Sequence, residues 1–167
     1  QLGGSEADLP ALVARLNQIS WDAGDLERGR KLFLSRGCAQ CHGAGSGLGP
    51  DLAGVTSRFS RDDLFIAIVQ PNRDVSPRYQ TTLIETKSGQ VYTGLPVINS
   101  AEIRVLRNAV NQTFSIRGSE IEIEKKLARS LMPEGLLKDL PDGDWADLYA
   151  YLRSLSSRTA LLDAADD

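Results

Sequence analysis

Three residue types are scarce in these 167 residues: there is one histidine, one methionine and two cysteines. A single imidazole cannot build a two-histidine zinc site, an H-E-x-x-H protease or a facial-triad iron oxygenase. Cys38 and Cys41 are only three positions apart, so they cannot staple a chain of this length and a disulfide scaffold is excluded. Basic excess is also missing. A net charge of −3 argues against non-specific nucleic-acid binding. Long apolar runs are absent: Leu64 to Val69 is among the longest and falls far short of a bilayer, so the chain is expected to be soluble with no transmembrane segment. No charged n-region followed by an apolar stretch opens the sequence. A start at Gln1 fits both a removed signal peptide and a domain cut from a longer chain.

The remaining composition is ordinary, 41% hydrophobic and 25% charged, enough for one domain with a core of its own. Leu9, Leu12, Val13 and Leu16 repeat with helical spacing and predict a short amphipathic helix within an N-terminal extension, residues 1–24. Asp25 is a good cap for a helix from Leu26 to Ser35, stopped by Gly37. Ser60 can cap another from Arg61 to Gln70, which Pro71 ends. From about residue 79 to 124 the period changes to two. Thr82 to Thr86 and Gln90 to Thr93 flank a Ser88-Gly89 turn, and Ile103/Val105, Phe114/Ile116 and Ile121/Ile123 alternate with polar neighbours. This pattern predicts a small antiparallel sheet of about five short strands, one face buried and one solvated. Helix returns after Asp144, where Trp145, Leu148, Tyr149, Leu152 and Leu155 form an apolar stripe. An acidic tail, residues 156–167, follows.

The chemistry is concentrated in Cys38-Ala39-Gln40-Cys41-His42. Cys-x-x-Cys-His is the attachment signature of c-type haem. Two thiols one helical turn apart can add to the two vinyl groups of one porphyrin while the adjacent imidazole reaches the iron. Zinc and a redox dithiol are the competing readings. Zinc would need a carboxylate as its fourth ligand, an uncommon structural set, and a thioredoxin-like dithiol follows a strand, whereas here a helix precedes the motif. The second axial position cannot be a histidine. Met132 is the sole thioether and stands before Pro133, which biases it toward extended loop geometry. A lone methionine is often a core gap-filler, but this one is off any apolar helical face. Met/His ligation would raise the potential and leave no open coordination position.

The order of these features resembles a class I cytochrome c: Gly29-Arg30-Lys31-Leu32-Phe33, the Cys38 to His42 motif, Gly49-Pro50-Asp51-Leu52, Met132-Pro133 and Asp147-Leu148-Tyr149-Ala150-Tyr151-Leu152. More narrowly, Arg61-Asp62-Asp63-Leu64, Ser76-Pro77-Arg78-Tyr79 and Leu131 to Leu136 are similar to haem-binding domains abundant in Planctomycetes and Verrucomicrobia. Those are commonly fused to, or encoded near, propeller-type sugar or alcohol dehydrogenases. The resemblance spans roughly residues 25 to 155. It implies a helical cytochrome core. The 90 positions between His42 and Met132 exceed what small cytochromes need, and the sheet predicted from the alternation accounts for the surplus as an insertion, so the expected fold is α+β.

The same resemblance implies site roles. Pro50 offers its carbonyl to the free imidazole nitrogen of His42. Leu52 and Phe59 line the apolar pocket, and Gly29, Phe33 and Tyr151 form a crossed-helix contact. Arg58, Arg78 and Tyr79 are candidate propionate partners or solvated surface. The expected function is one-electron transfer by a single covalent haem c, in a carrier rather than an enzyme, or in one domain of a larger oxidoreductase. The implied partners are a periplasmic dehydrogenase as donor and a cytochrome or oxidase as acceptor, in an extracytoplasmic compartment. The alternative is a haem sensor or peroxidase-like enzyme with a labile distal Met132, although no second histidine could serve as acid–base. Residues 26 to 80 carry eight Lys/Arg against five Asp/Glu, a local excess suited to an acidic partner surface.

Overall fold

The structure, a computed structural model, describes residues 9–43 and 47–155. The acidic tail expected at 156–167, the first eight residues and positions 44–46 lie outside them. The fold is α+β. The chain divides into a helical unit, residues up to 70 together with those from 134 onward, and a β unit, residues 71–133.

In the helical unit α1 spans Leu9–Leu16, α2 Leu26–Ser35, α3 Cys38–His42, α4 Val55–Arg58, α5 Arg61–Val69 and α6 Asp142–Ser154. Two starts are side-chain caps: Asp25 accepts from Arg28 N at 2.8 Å and Ser60 Oγ from Asp63 N at 3.1 Å. Helix α6 corrects the expectation for Asp144. It begins two residues earlier, after Pro141, because Arg15 holds that end, its Nε on Asp142 at 2.8 Å and its Nη2 on the Leu140 carbonyl at 2.7 Å. The Arg15 guanidinium also lies 4.2 Å from the Trp145 ring centre. Leu12 and Leu16 of α1 are buried in the same core as Phe33, Phe65, Trp145, Tyr151 and Leu155. Phe65 stacks on Trp145 at 5.5 Å between ring centres, and Trp21 tilts against Phe65 at 4.9 Å.

The largest contact in this unit is α2 against α6. It is close because Gly29 and Gly24 have no Cβ: one on Gly29 would run into the Asp147 carbonyl, one on Gly24 into that of Ala146. Phe33 and Tyr151 meet at the same crossing, 5.2 Å between ring centres. Asp147 is buried there with its carboxylate fully used. It accepts from Asp25 N at 2.6 Å and from Arg28 Nε and Nη2 at 2.6 and 2.8 Å. The Arg28 guanidinium, helped by the Asp25 amide, holds the Asp147 carboxyl below the usual carboxylate range against the opposing effect of burial.

A depressed pKa stabilises the folded chain above the unfolded carboxyl pKa, about 4, and that contribution is lost as pH falls through the folded value. Asp147→Asn is therefore expected to cost about 1–2 kcal/mol at neutral pH, mostly through buried hydrogen bonds, since Arg28 is solvent-exposed and screened. Urea midpoints measured between pH 7 and 3 should fall less steeply for the variant than for wild type.

In the β unit, β1 spans Thr82–Thr86, β2 Val91–Asn99, β3 Ile103–Arg107, β4 Thr113–Arg117 and β5 Ile121–Lys126. All neighbours are antiparallel, in the order β4-β3-β2-β1-β5. The sheet thus starts and ends slightly later than the expected 79–124. Strands β4 and β5 are consecutive yet lie at opposite edges, joined only by the 3₁₀ turn Gly118–Glu120. That link reaches at most about 14 Å, while the outer strands of a flat five-stranded sheet stand about 19 Å apart, so the sheet must roll. Inner side chains accordingly meet across it. Arg104 of β3 pairs with Glu124 of β5 at 3.1 Å, and the rings of Tyr92 and Phe114, on β2 and β4, are 5.2 Å apart. Ile84, Leu106 and Ile116 fill the middle. The five-stranded antiparallel sheet with one buried face is thus present, rolled around a small interior, and β5 is almost wholly exposed.

Candidate functional site

Helix α2 ends at Gly37, whose φ of 77° turns the chain directly into the single turn of α3. Only a residue without a Cβ adopts this conformation at no steric cost. One helical turn places Cys38 and Cys41 on one side and His42 next to them. Cys38 packs against the helical core, and burial pushes its thiol up to about 11. Burial also raises Cys41. No disulfide joins the two. Redox dithiols and nucleophilic cysteines depend on a lowered pKa, the opposite direction to the shift that burial gives here.

His42 is fixed by the chain that follows it. Its Nδ1 donates to the Pro50 carbonyl at 2.9 Å, and since a carbonyl only accepts, Nδ1 carries the proton and Nε2 keeps its lone pair. Burial pushes the imidazole pKa down, with the Pro50 bond opposing it, so the ring is held neutral, the form that binds iron. Gly49 N donates to the Cys41 carbonyl at 3.0 Å, which holds Gly49 beside the ring. A Cβ on Gly49 would stand 2.8 Å from His42 Cε1 and 2.9 Å from Nδ1, a clearance only glycine provides. Pro50 was expected as the acceptor for His42; the steric role of Gly49 beside it depends on a ring that folding brings near.

Beyond Pro50 the loop is braced. Asp51 Oδ1 accepts from Ala53 N at 2.8 Å, and the Arg58 guanidinium donates to the carbonyls of Ala53 and Asp51. Arg58 therefore serves the loop. Leu52 is half-buried against the core, whereas Phe59, just after α4, is 54% exposed. The structure thus brings Cys38, Cys41, His42 and Pro50 together, with Leu52 and Phe59 on the segment that follows. Met132 stands in the β unit, half-buried, its amide donating to Ser130 Oγ at 3.0 Å. Arg78 lies over Tyr79 at 5.8 Å in that same unit.

A family model described as Cytochrome c matches residues 26–91, less than half of the chain. No curated protein matches. The match supports a class I c-type cytochrome and haem-based electron transfer in general terms, and the cofactor it implies is covalently attached haem c. The donor set fits that group: two thiols one turn apart, and an adjacent neutral imidazole whose distal nitrogen is free to bind iron.

Proposed function

We propose that the chain is a monohaem electron-transfer domain in which Cys38 and Cys41 form the thioether bonds and His42 and Met132 are the axial ligands. The observation that carries this reading is the 2.9 Å bond from His42 Nδ1 to the Pro50 carbonyl, which sets the tautomer and raises the basicity of Nε2, as second partners of metal-bound histidines do. When bound, haem supplies a one-electron couple, and two fixed axial ligands keep iron geometry similar in both oxidation states. The chain's own part is to hold and cover it. Leu52 and Phe59 would contribute apolar surface that keeps water from the iron, and Gly49 leaves the His42 ring its place.

The pathway is part of the same proposal. The donor is a periplasmic sugar or alcohol dehydrogenase of the kind associated with the Planctomycete and Verrucomicrobia domains, and the acceptor is a cytochrome or oxidase. The positive excess over residues 26–80 supports an acidic partner surface and an association rate that falls with salt. The compartment is extracytoplasmic, where covalent haem is attached. Among the described residues no helix is long and apolar enough to cross a membrane.

The test is direct. Protein produced with haem attachment is expected to be red and to keep its haem through acid–acetone extraction. Cys38→Ala with Cys41→Ala should lose essentially all of it in that extraction. Extractable haem in wild type, or a colourless protein that retains zinc, would remove the proposal.

A further inference from the structure

The β unit closes on itself at a neck. The ladder of β1 and β5 ends at Thr82 and Lys126, and the pairing continues past it: Leu127 N donates to the Thr81 carbonyl at 2.8 Å and Thr81 N to the Arg129 carbonyl at 2.9 Å. Side chains then take over. Ser130 N donates to Asn72 Oδ1 at 3.0 Å, and Ser130 Oγ accepts from Met132 N at 3.0 Å. Pro133 restrains Met132 from the other side by disfavouring helical geometry in the residue before it. Met132 is thus held on its amide by one side chain and on its carbonyl side by a ring. A serine hydroxyl accepting from the amide two residues on is a local turn that competes weakly with water. Here the serine is itself anchored 58 positions away in sequence.

We infer that Asn72 and Ser130 are positioning residues for the Met132 thioether, holding its backbone in the one conformation from which the sulfur serves as the axial ligand. The inference rests on the reading of Met132 as that ligand. An iron–thioether bond competes with external ligands, and each backbone freedom removed from residue 132 in advance is entropy that ligation no longer has to overcome. Both residues act through Met132. Neither needs to touch the haem.

The experiment uses the holoprotein and two optical readouts in the ferric state: the red absorption band that reports methionine bound to iron, and cyanide binding. Asn72→Ala and Ser130→Ala are each expected to weaken the band and to tighten cyanide binding roughly tenfold, about the effect of one net hydrogen bond. Asn72→Asp and Ser130→Thr keep an acceptor oxygen and should stay within about twofold of wild type. Far-ultraviolet circular dichroism follows the strands. If Asn72→Ala unfolds the β unit, Ser130→Ala, which removes one hydroxyl from a half-buried site, decides alone. A wild-type band with alanine variants that stay folded and bind cyanide like wild type would overturn the inference and leave Met132 as ligand. A wild type with no band and unhindered cyanide binding would overturn the ligand reading, and the inference with it.

Discussion

Met132→Ala is expected to lower the midpoint potential by on the order of 0.1–0.3 V, a substantial part of the roughly 0.8 V over which axial ligands tune haem. A thioether is a soft ligand that favours the reduced iron, and no other methionine and no second histidine exist in the chain to replace it. The reduced variant should therefore bind carbon monoxide and the oxidised variant cyanide, both of which wild type should resist. Haem content should not change, because attachment depends on Cys38 and Cys41. Potentiometric titration and a carbon monoxide difference spectrum check the two halves of this prediction separately. An unchanged potential with no carbon monoxide binding would mean that a different group occupies the position.

Gly29→Ala tests the helical unit where the margin is smallest. In an isolated helix the substitution is favourable by about 1 kcal/mol, since alanine restricts the unfolded chain and suits the helix. At this position the new methyl would fall inside the Asp147 carbonyl and within 2.9 Å of Tyr151 Cβ. Backbone and a β-carbon cannot swing aside, so α2 and α6 must separate. Overpacking of this kind costs about 1–3 kcal/mol or more, and separation also stretches the bonds that Asp147 makes to Asp25 and Arg28. The packing term outweighs propensity. The net expected loss is about 1–3 kcal/mol in chemical denaturation, once the weakened Asp147 bonds are included, against a total stability of about 5–15 kcal/mol for a domain. A stability equal to or above wild type would show that the crossing is looser than the geometry describes.

Local signals decided which elements could be read in advance. Asp25 and Ser60 are caps whose chemistry acts within three residues, and helices α2 and α5 begin where they say. Asp144 is the same residue type in an apparently similar place, yet α6 starts at Asp142 because Arg15, 127 positions away, binds it. Strand β2 runs on through Pro96 because that residue pairs with Leu106 beside an irregularity in register, a tolerance that only the finished sheet reveals. Short α3 and α4 have too few residues for periodicity. The rolling of the sheet was hidden for another reason: alternation reports which face a residue takes, whereas curvature follows from strand order and the three-residue link from β4 to β5. The chemical motif was legible because Cys38, Cys41 and His42 are contiguous. Gly49, Asp147 and the Asn72–Ser130 contact were not, since each depends on a partner brought near by folding.

The neck of the β unit also bears on how the helical unit assembles. The chain leaving α5 must travel through residues 71–133 before it can return as α6. As a flexible loop, 58 positions cost about 2 kcal/mol more to close than a link of four, by logarithmic scaling. Once Asn72 meets Ser130, that loop is already shut, and the two helices are joined by what is in entropic terms a short tether. The strands pay this closure out of their own local pairing, so α6 docks on α2 as though the intervening sequence were barely there. A 63-residue excursion of this kind slows neither the search nor the docking, provided the excursion folds first.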